Sequence, residues 1–211
     1  MKTLFVPVLL FLFYLGNKVL SLPFILFFLF SFLGDASLAL FNSPFFVKAS
    51  GVFYFLSYVC LIGIAIYKFR FFKVDIVVGA YLALVFFISI YFLYLFYGFL
   101  KTVVPDNFAV FLFGIKGVAL LILAFLAFGK YLHSDTKAAI LFLMVAMCLV
   151  FSTVLNYVDL YYVHSWGFVM IESVVYTVGL YLLLNYVVEE NKSTAIQKST
   201  VNAFNRDNIF A

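Results

Sequence analysis

The stretch LSLPFILFFLFSFLGDASLALF, residues 20–41, decides how this chain folds. It carries one charged side chain, Asp35. Its apolar residues follow neither the two-residue alternation of a half-buried strand nor the single stripe of a helix lying on a soluble core. A segment apolar on every face and about 20 residues long matches the roughly 30 Å of hydrocarbon in a bilayer. No water satisfies backbone groups there, so a helix or a closed barrel must do so, and a barrel strand would be shorter and alternating. Pro23 falls in the first turn, where a helix tolerates proline.

Comparable runs fill most of the chain. Polar punctuation sets helices over about 3–16, 20–41, 45–68, 75–99, 107–129, 138–160 and 166–188. The breaks are Gly16-Asn17-Lys18, Asn42-Ser43-Pro44, the basic group Lys68, Arg70 and Lys73, the segment Lys101–Asn107 with Pro105, the segment Lys130–Lys137, and His164-Ser165. The chain is 67% hydrophobic and 10% charged, where a soluble domain is about half apolar and a quarter charged. The expected fold is therefore all-α: a polytopic transmembrane bundle of seven helices over residues 1–188. Residues 189–211, rich in Glu, Lys, Ser, Thr and Asn, read as a polar, disordered cytoplasmic tail. Met1-Lys2 and the apolar run to Tyr14 look like the start of a signal peptide. No A-x-A-like cleavage site follows, so the segment reads as a retained first helix.

Basic residues give the orientation. With seven spans, Lys18, Lys68, Arg70, Lys73, Lys130, Lys137, Lys192, Lys198 and Arg206 share a side with the C-terminus, against Lys2, Lys48 and Lys101 on the other. The positive-inside rule then puts the C-terminus in the cytoplasm and the N-terminus outside, in a multi-pass protein of the cell membrane, a bacterial inner membrane by expectation. The net charge of +4 is accounted for by these loops. No basic cluster interleaved with aromatics points to nucleic acid. No protein partner can be inferred. Cys60 and Cys148 lie inside apolar runs and read as small core residues rather than a disulfide or metal pair.

A charge near the bilayer centre costs at least about 2.5–3.5 kcal/mol, so intramembrane charges are candidates for function. Asp35, Lys116 and Glu172 stand out, with Ser152, Thr153 and Asn156 beside them in the sixth helix. At about 1.5 Å per residue, the expected topology sets all of these roughly 6–15 Å below the outer surface. They fall in one layer. Two readings follow. In one, Asp35 or Glu172 neutralises Lys116 and locks the helices together. In the other, the residues line a polar cavity whose two carboxylates divide acid and base work. His133 and His164 read as solvated loop residues, and Asp75, Asp106, Asp135 and Asp159 as helix-end caps. The chain lacks H-E-x-x-H, G-x-S-x-G and P-loop patterns, so no metal or cofactor is expected.

The segment Phe30-Ser31-Phe32-Leu33-Gly34-Asp35-Ala36-Ser37-Leu38 resembles the Leu-Leu-Gly-Asp signature of the YhhN-like lysoplasmalogenase family of membrane proteins. Lys2-Thr3-Leu4-Phe5-Val6-Pro7 is similar to that family's Lys-Pro-Leu-x-x-Pro helix opening. Gly51 and Phe55-Leu56-Ser57-Tyr58 resemble its Gly-x-Phe-Phe-Leu-(Ser/Ala)-His segment. Phe151-Ser152-Thr153 stands where the family has Phe-x-Ser-Asp or Ser-Asn, and Tyr176 with Gly179 fits its last-helix segment. The resemblance covers about residues 2–187. The chain departs from it in starting at the family's second helix of eight. It has Tyr58 for a histidine, Thr153 for a common aspartate and Leu180 for Gln or His.

The resemblance implies hydrolysis of the vinyl ether bond of lysoplasmalogens to a fatty aldehyde and a glycerophospho-alcohol, with a membrane lipid as substrate. It casts Asp35 in the leading catalytic role. Glu172, one helical turn before Tyr176, stands in for the missing second carboxylate, with Thr153 completing the set. Lys116, Asn156, Tyr58, Ser152 and Tyr176 would bind or tune. The alternative is a non-catalytic membrane protein that binds or transports a lipid or small solute.

Overall fold

The computed structural model describes residues 5–16, 22–40, 44–67, 76–134, 136–162 and 165–207. Lys2, Lys18, Lys68, Arg70, Lys73, Asp75, Asp135 and His164 lie outside them. The described residues form seven α-helices and no strand: α1 Phe5–Gly16, α2 Leu22–Leu40, α3 Pro44–Tyr67, α4 Ile76–Val103, α5 Asn107–His133, α6 Lys137–Tyr161 and α7 Trp166–Asp207. Six of them, α2 to α7, are long and apolar enough to cross a membrane. The expected seventh span is the exception. The described α1 has 12 residues. At about 1.5 Å per residue it reaches roughly 18 Å, short of the hydrocarbon thickness.

Several boundaries move outward from the sequence expectation, for local reasons. Pro44, expected in a turn, opens α3, where its fixed φ suits a first helical position. Lys101, Lys130 and His133, expected in loops, end α4 and α5 instead. Cations are favourable at helix C-termini, where the carbonyls gather negative charge. Asp106 caps α5, its carboxylate accepting the Phe108 N–H at 3.0 Å. Thr136 caps α6 in the same way through the Ala139 N–H at 3.3 Å. The Asp159 carboxylate, one turn from the end of α6, accepts the Ser165 N–H at 3.2 Å. The segment from residue 189, read from composition as disordered, is carried in helical form by α7 as far as Asp207.

The packing order differs from the chain order. α3 packs on α2 and on α5, α5 on α6, and α6 on α7, while α1 touches both α2 and α7. These contacts close a ring: α1, α2, α3, α5, α6, α7. α4 stands outside it against α5, and its span is left almost wholly uncovered, with Leu100 near its end buried. Inside the ring, Phe27, Leu61, Leu123, Leu149, Leu180 and Leu183 are fully covered. In lipid, the neighbouring hydrocarbon is as apolar as leucine, so close packing and polar contacts hold such helices together.

Polar contacts mark both ends of the ring. At one end, Lys48 of α3 pairs with Asp106 at 2.6 Å. At the other, the Lys130 ammonium of α5 donates to the Tyr186 hydroxyl at 2.8 Å and stands 3.5 Å from Glu190, both on α7. It also faces the Phe142 ring of α6 at 5.5 Å. The two clusters fix the register of α3 against α5 and of α5 against α7.

Candidate functional site

Five helices contribute to one polar region in the ring. α2 supplies Asp35, which is 3% exposed. The residue before it explains how the neighbouring helix comes so close. A Cβ on Gly34 would lie 3.2–3.3 Å from three ring carbons of Tyr54. Glycine therefore lets the Tyr54 ring of α3 lie against α2, and from there its hydroxyl donates to Asp35 Oδ1. The Gly34-Asp35 pair works as a unit: one residue makes room for the ring, and the next receives its proton.

α3 adds Tyr58, one turn beyond Tyr54. Its hydroxyl meets Thr153 Oγ1 of α6 at 3.0 Å. Thr153 in turn donates to the Leu149 carbonyl at 2.8 Å, as threonine in a helix commonly does. Since Thr153 has one proton to give, Tyr58 is the donor between the two. α6 also supplies Ser152, whose hydroxyl donates to Glu172 Oε1 of α7 at 3.1 Å. Ser152 is 4% exposed and Glu172 is 6% exposed. Tyr176, four residues further along α7, meets the Tyr54 ring edge-on at 6.4 Å between centroids.

Lys116 enters from α5. Among the described residues no ion pair joins it to a carboxylate, so the expected neutralisation by Asp35 or Glu172 takes another form. Its ammonium stands 4.9 Å from the centre of the Tyr157 ring, a cation–π contact. Nearby, Gly51 of α3 makes room for Leu112, one turn before Lys116 on α5. A Cβ on Gly51 would lie 2.2 Å from Leu112 Cδ2 and 3.8 Å from Lys116 Nζ.

Tyr54, Tyr58, Lys116, Ser152, Thr153, Asn156, Glu172 and Tyr176 line a common cavity of about 30 Å³. A single water needs about 10–15 Å³ on this measure, so two or so fit. Of the residues expected in one layer, Lys116, Ser152, Thr153, Asn156 and Glu172 line this cavity, and Asp35 is hydrogen-bonded to its wall through Tyr54. Tyr54 itself was missed. It sits one turn before Tyr58, but in a chain with 15 tyrosines nothing in its composition distinguishes it.

Other expectations resolve simply. Cys60 and Cys148 are free thiols. His133 lies in the last turn of α5. Among the described residues no three of His, Cys, Asp and Glu gather as a metal site would require. Asp106, outside the spans, has its carboxyl held below the usual range, first by its hydrogen bond with Lys48 and then by the Phe108 N–H.

Fold and site together define a polytopic α-helical membrane protein with a small, water-sized polar cavity inside its helix ring. Comparison with family models, with curated proteins and with solved structures gives no match.

Proposed function

We propose that the chain is a membrane-embedded hydrolase that cleaves the vinyl ether bond of a lysoplasmalogen-type lipid, as the sequence resemblance to the YhhN-like family implies. The observation that carries this reading is a water-sized cavity lined by Glu172 and Lys116, with the buried Asp35 carboxylate hydrogen-bonded to Tyr54 of its wall, since charges inside a spanning bundle are expensive. A vinyl ether is cleaved by protonation of its outer alkene carbon, which leaves an oxocarbenium ion. Water adds to that ion, and the resulting hemiacetal breaks down to aldehyde and glycerophospho-alcohol. One carboxyl group delivers the proton. The second, ionised, stabilises the cation and takes a proton from the attacking water. Asp35 and Glu172 are the two groups. Tyr54, Tyr58, Ser152 and Thr153 hold them and the water in register, and the Lys116 ammonium sets the local charge.

On this reading the protein lies in the cell membrane with the C-terminal end of α7 in the cytoplasm. The bias of basic residues supports that orientation whether or not α1 spans, because the loops from α2 onward alternate in the same way.

A second reading has its own support. Both carboxylates receive a hydroxyl from the neighbouring helix, Asp35 from Tyr54 and Glu172 from Ser152. Such contacts also serve a structural lock in a non-catalytic protein that binds or transports a lipid or small solute. Purified protein incubated with lysoplasmalogen separates the two. The hydrolase releases free aldehyde, and Asp35→Asn lowers the rate by about 10²–10⁴, the usual loss on removing an acid–base group. Absence of aldehyde, or equal release by the variant, would sink the hydrolase reading. Solute flux in proteoliposomes would then favour the transporter.

A further inference from the structure

A second concavity opens beside the polar one, in the angle between α4, α5 and α6. It holds about 300 Å³, ten times the polar cavity, and its walls are almost wholly apolar: Phe92 and Phe96 from α4, Leu120 and Ala124 from α5, Val150 and Val154 from α6. Phe92, Phe96 and Val154 keep 55%, 50% and 44% of their surface uncovered by protein, so the groove faces the hydrocarbon of the bilayer. Along α6 it runs from Val150 to Tyr162. At about 1.5 Å per residue that is roughly 18 Å.

Two residues connect this groove to the polar cavity. Thr153 lines both. Tyr157 lines the groove, and its ring carries the ammonium of Lys116, which lines the cavity. An apolar channel open to lipid along its length thus touches a polar wall at one point. The Tyr162 end of the groove is also the end of the bundle where Lys48 and Asp106 pair, since α6 ends where α5 begins.

We propose that the groove between α4, α5 and α6 holds one hydrocarbon chain of a membrane lipid, lying along α6 with its polar end at the Tyr162 rim and its chain passing Thr153. The shape argues for a single chain, because the groove is elongated and one side chain, Thr153, separates it from the polar cavity. The position argues for a lipid rather than a soluble ligand, because the walls offer hydrocarbon and the open side meets the acyl region. The proposal rests on the hydrolase reading for the class of lipid, but binding in the groove is measured separately from hydrolysis.

The test uses the full chain in phosphatidylcholine nanodiscs with a lysophosphatidylcholine carrying a diazirine on its chain. After irradiation, labelled peptides are mapped by mass spectrometry. The expected label concentrates on the inward groove residues, around Phe92–Phe96 and Val154–Val158. Filling the groove with Ala124→Trp or Val150→Phe lowers that label to the level found on the outward face of α4, because the added side chain takes the volume the hydrocarbon chain would fill and lipid offers that chain an equally apolar place. Val59→Trp, in the separate apolar groove where α3 meets α5, leaves it unchanged. Label spread evenly over the outward face of α4, as on Tyr91 and Tyr94, overturns the proposal even before any variant is made. So does label indifferent to both fillers. A wild-type groove closed to the probe by a second copy, seen as a dimer in native mass spectrometry, overturns it as well. Label confined to the groove without aldehyde release sinks only the hydrolase reading. Aldehyde release with indifferent label sinks only the groove.

Discussion

The Tyr54 phenol of α3 donates its proton to the Asp35 carboxylate of α2, across a helix interface that Gly34 holds open. A buried carboxylate is costly in hydrocarbon, and a charge-assisted hydrogen bond is the strongest offset one neutral neighbour can give. Interhelical hydrogen bonds in membrane proteins average about 0.6 kcal/mol, while bonds to charged groups reach about 1.5–3 kcal/mol. Tyr54→Phe keeps the ring and removes the donor. It is expected to destabilise the protein by about 1–2 kcal/mol, between those two figures. The measurement is unfolding in detergent. A variant as stable as the wild type would show that Asp35 draws nothing from this contact.

Gly34 tests the same interface through volume. Gly34→Leu drives a side chain into a ring that already lies within 3.2–3.3 Å of where its Cβ would sit. Overpacking of this kind costs about 1–3 kcal/mol. It should also displace the Tyr54 hydroxyl, so that aldehyde release falls together with the melting temperature. Ala36→Leu, two residues on, provides the contrast on the same helix and should melt closer to wild type.

Ser152→Ala removes the hydroxyl that Glu172 receives and leaves the packing of α6 on α7 nearly intact. If Glu172 serves acid–base chemistry, its working pH range moves when that bond is lost. The pH profile of aldehyde release should therefore shift, while the melting temperature falls by the equivalent of about 1 kcal/mol. A lower melting temperature with an unmoved pH profile would assign the contact to structure alone.

The Lys48–Asp106 pair predicts an acid-side effect on stability. Its folded carboxyl titrates below the ordinary value of about 3.9, chiefly through its hydrogen bond with Lys48. A depressed carboxyl adds stability above its unfolded pKa and loses it as pH falls through the folded one. Wild type should therefore lose its margin over Asp106→Asn as the pH drops below about 4, and keep it at neutral pH. The pair is half-exposed, so the margin is small and shrinks with salt. Thermal scans at several pH values and two ionic strengths check this.

Much of the architecture was legible because hydropathy alone reports spans. Six of the seven expected helices emerge at spanning length, and the polar residues grouped by counting turns line one cavity except Asp35, which reaches it through Tyr54. What hydropathy does not encode is which helices touch. It says nothing of α3 meeting α5 with α4 set aside, although α4 hinted at it. Between Gly79 and Leu100, Ser89 is the strongest hydrogen-bonding side chain apart from tyrosines, while α2, α5 and α7 each carry a charge inward. Of the two readings open for Lys116, the direct ion pair is not the one that forms among the described residues. Sequence pairs opposite charges, but geometry gave this ammonium the Tyr157 ring. The ends of α4 and α5 ran past their lysines because a cation at a helix C-terminus ends a hydrophobic run without ending the helix. The short described α1 was hidden by its composition, as apolar as any span.

The two carboxylates differ from the lysine in when their contacts become possible during synthesis. Asp35 meets Tyr54 within the α2–α3 pair, and Ser152 meets Glu172 within the α6–α7 pair. Each acid thus finds a hydroxyl on an adjacent helix, 19 or 20 residues away in the chain. A ribosome-bound chain can hand each pair to the membrane as a hairpin whose charge is already covered. Lys116 also finds its companion on the next helix, the Tyr157 ring of α6, but about twice as far along the chain. Lys116 therefore stays uncovered for a longer stretch of synthesis than either acid.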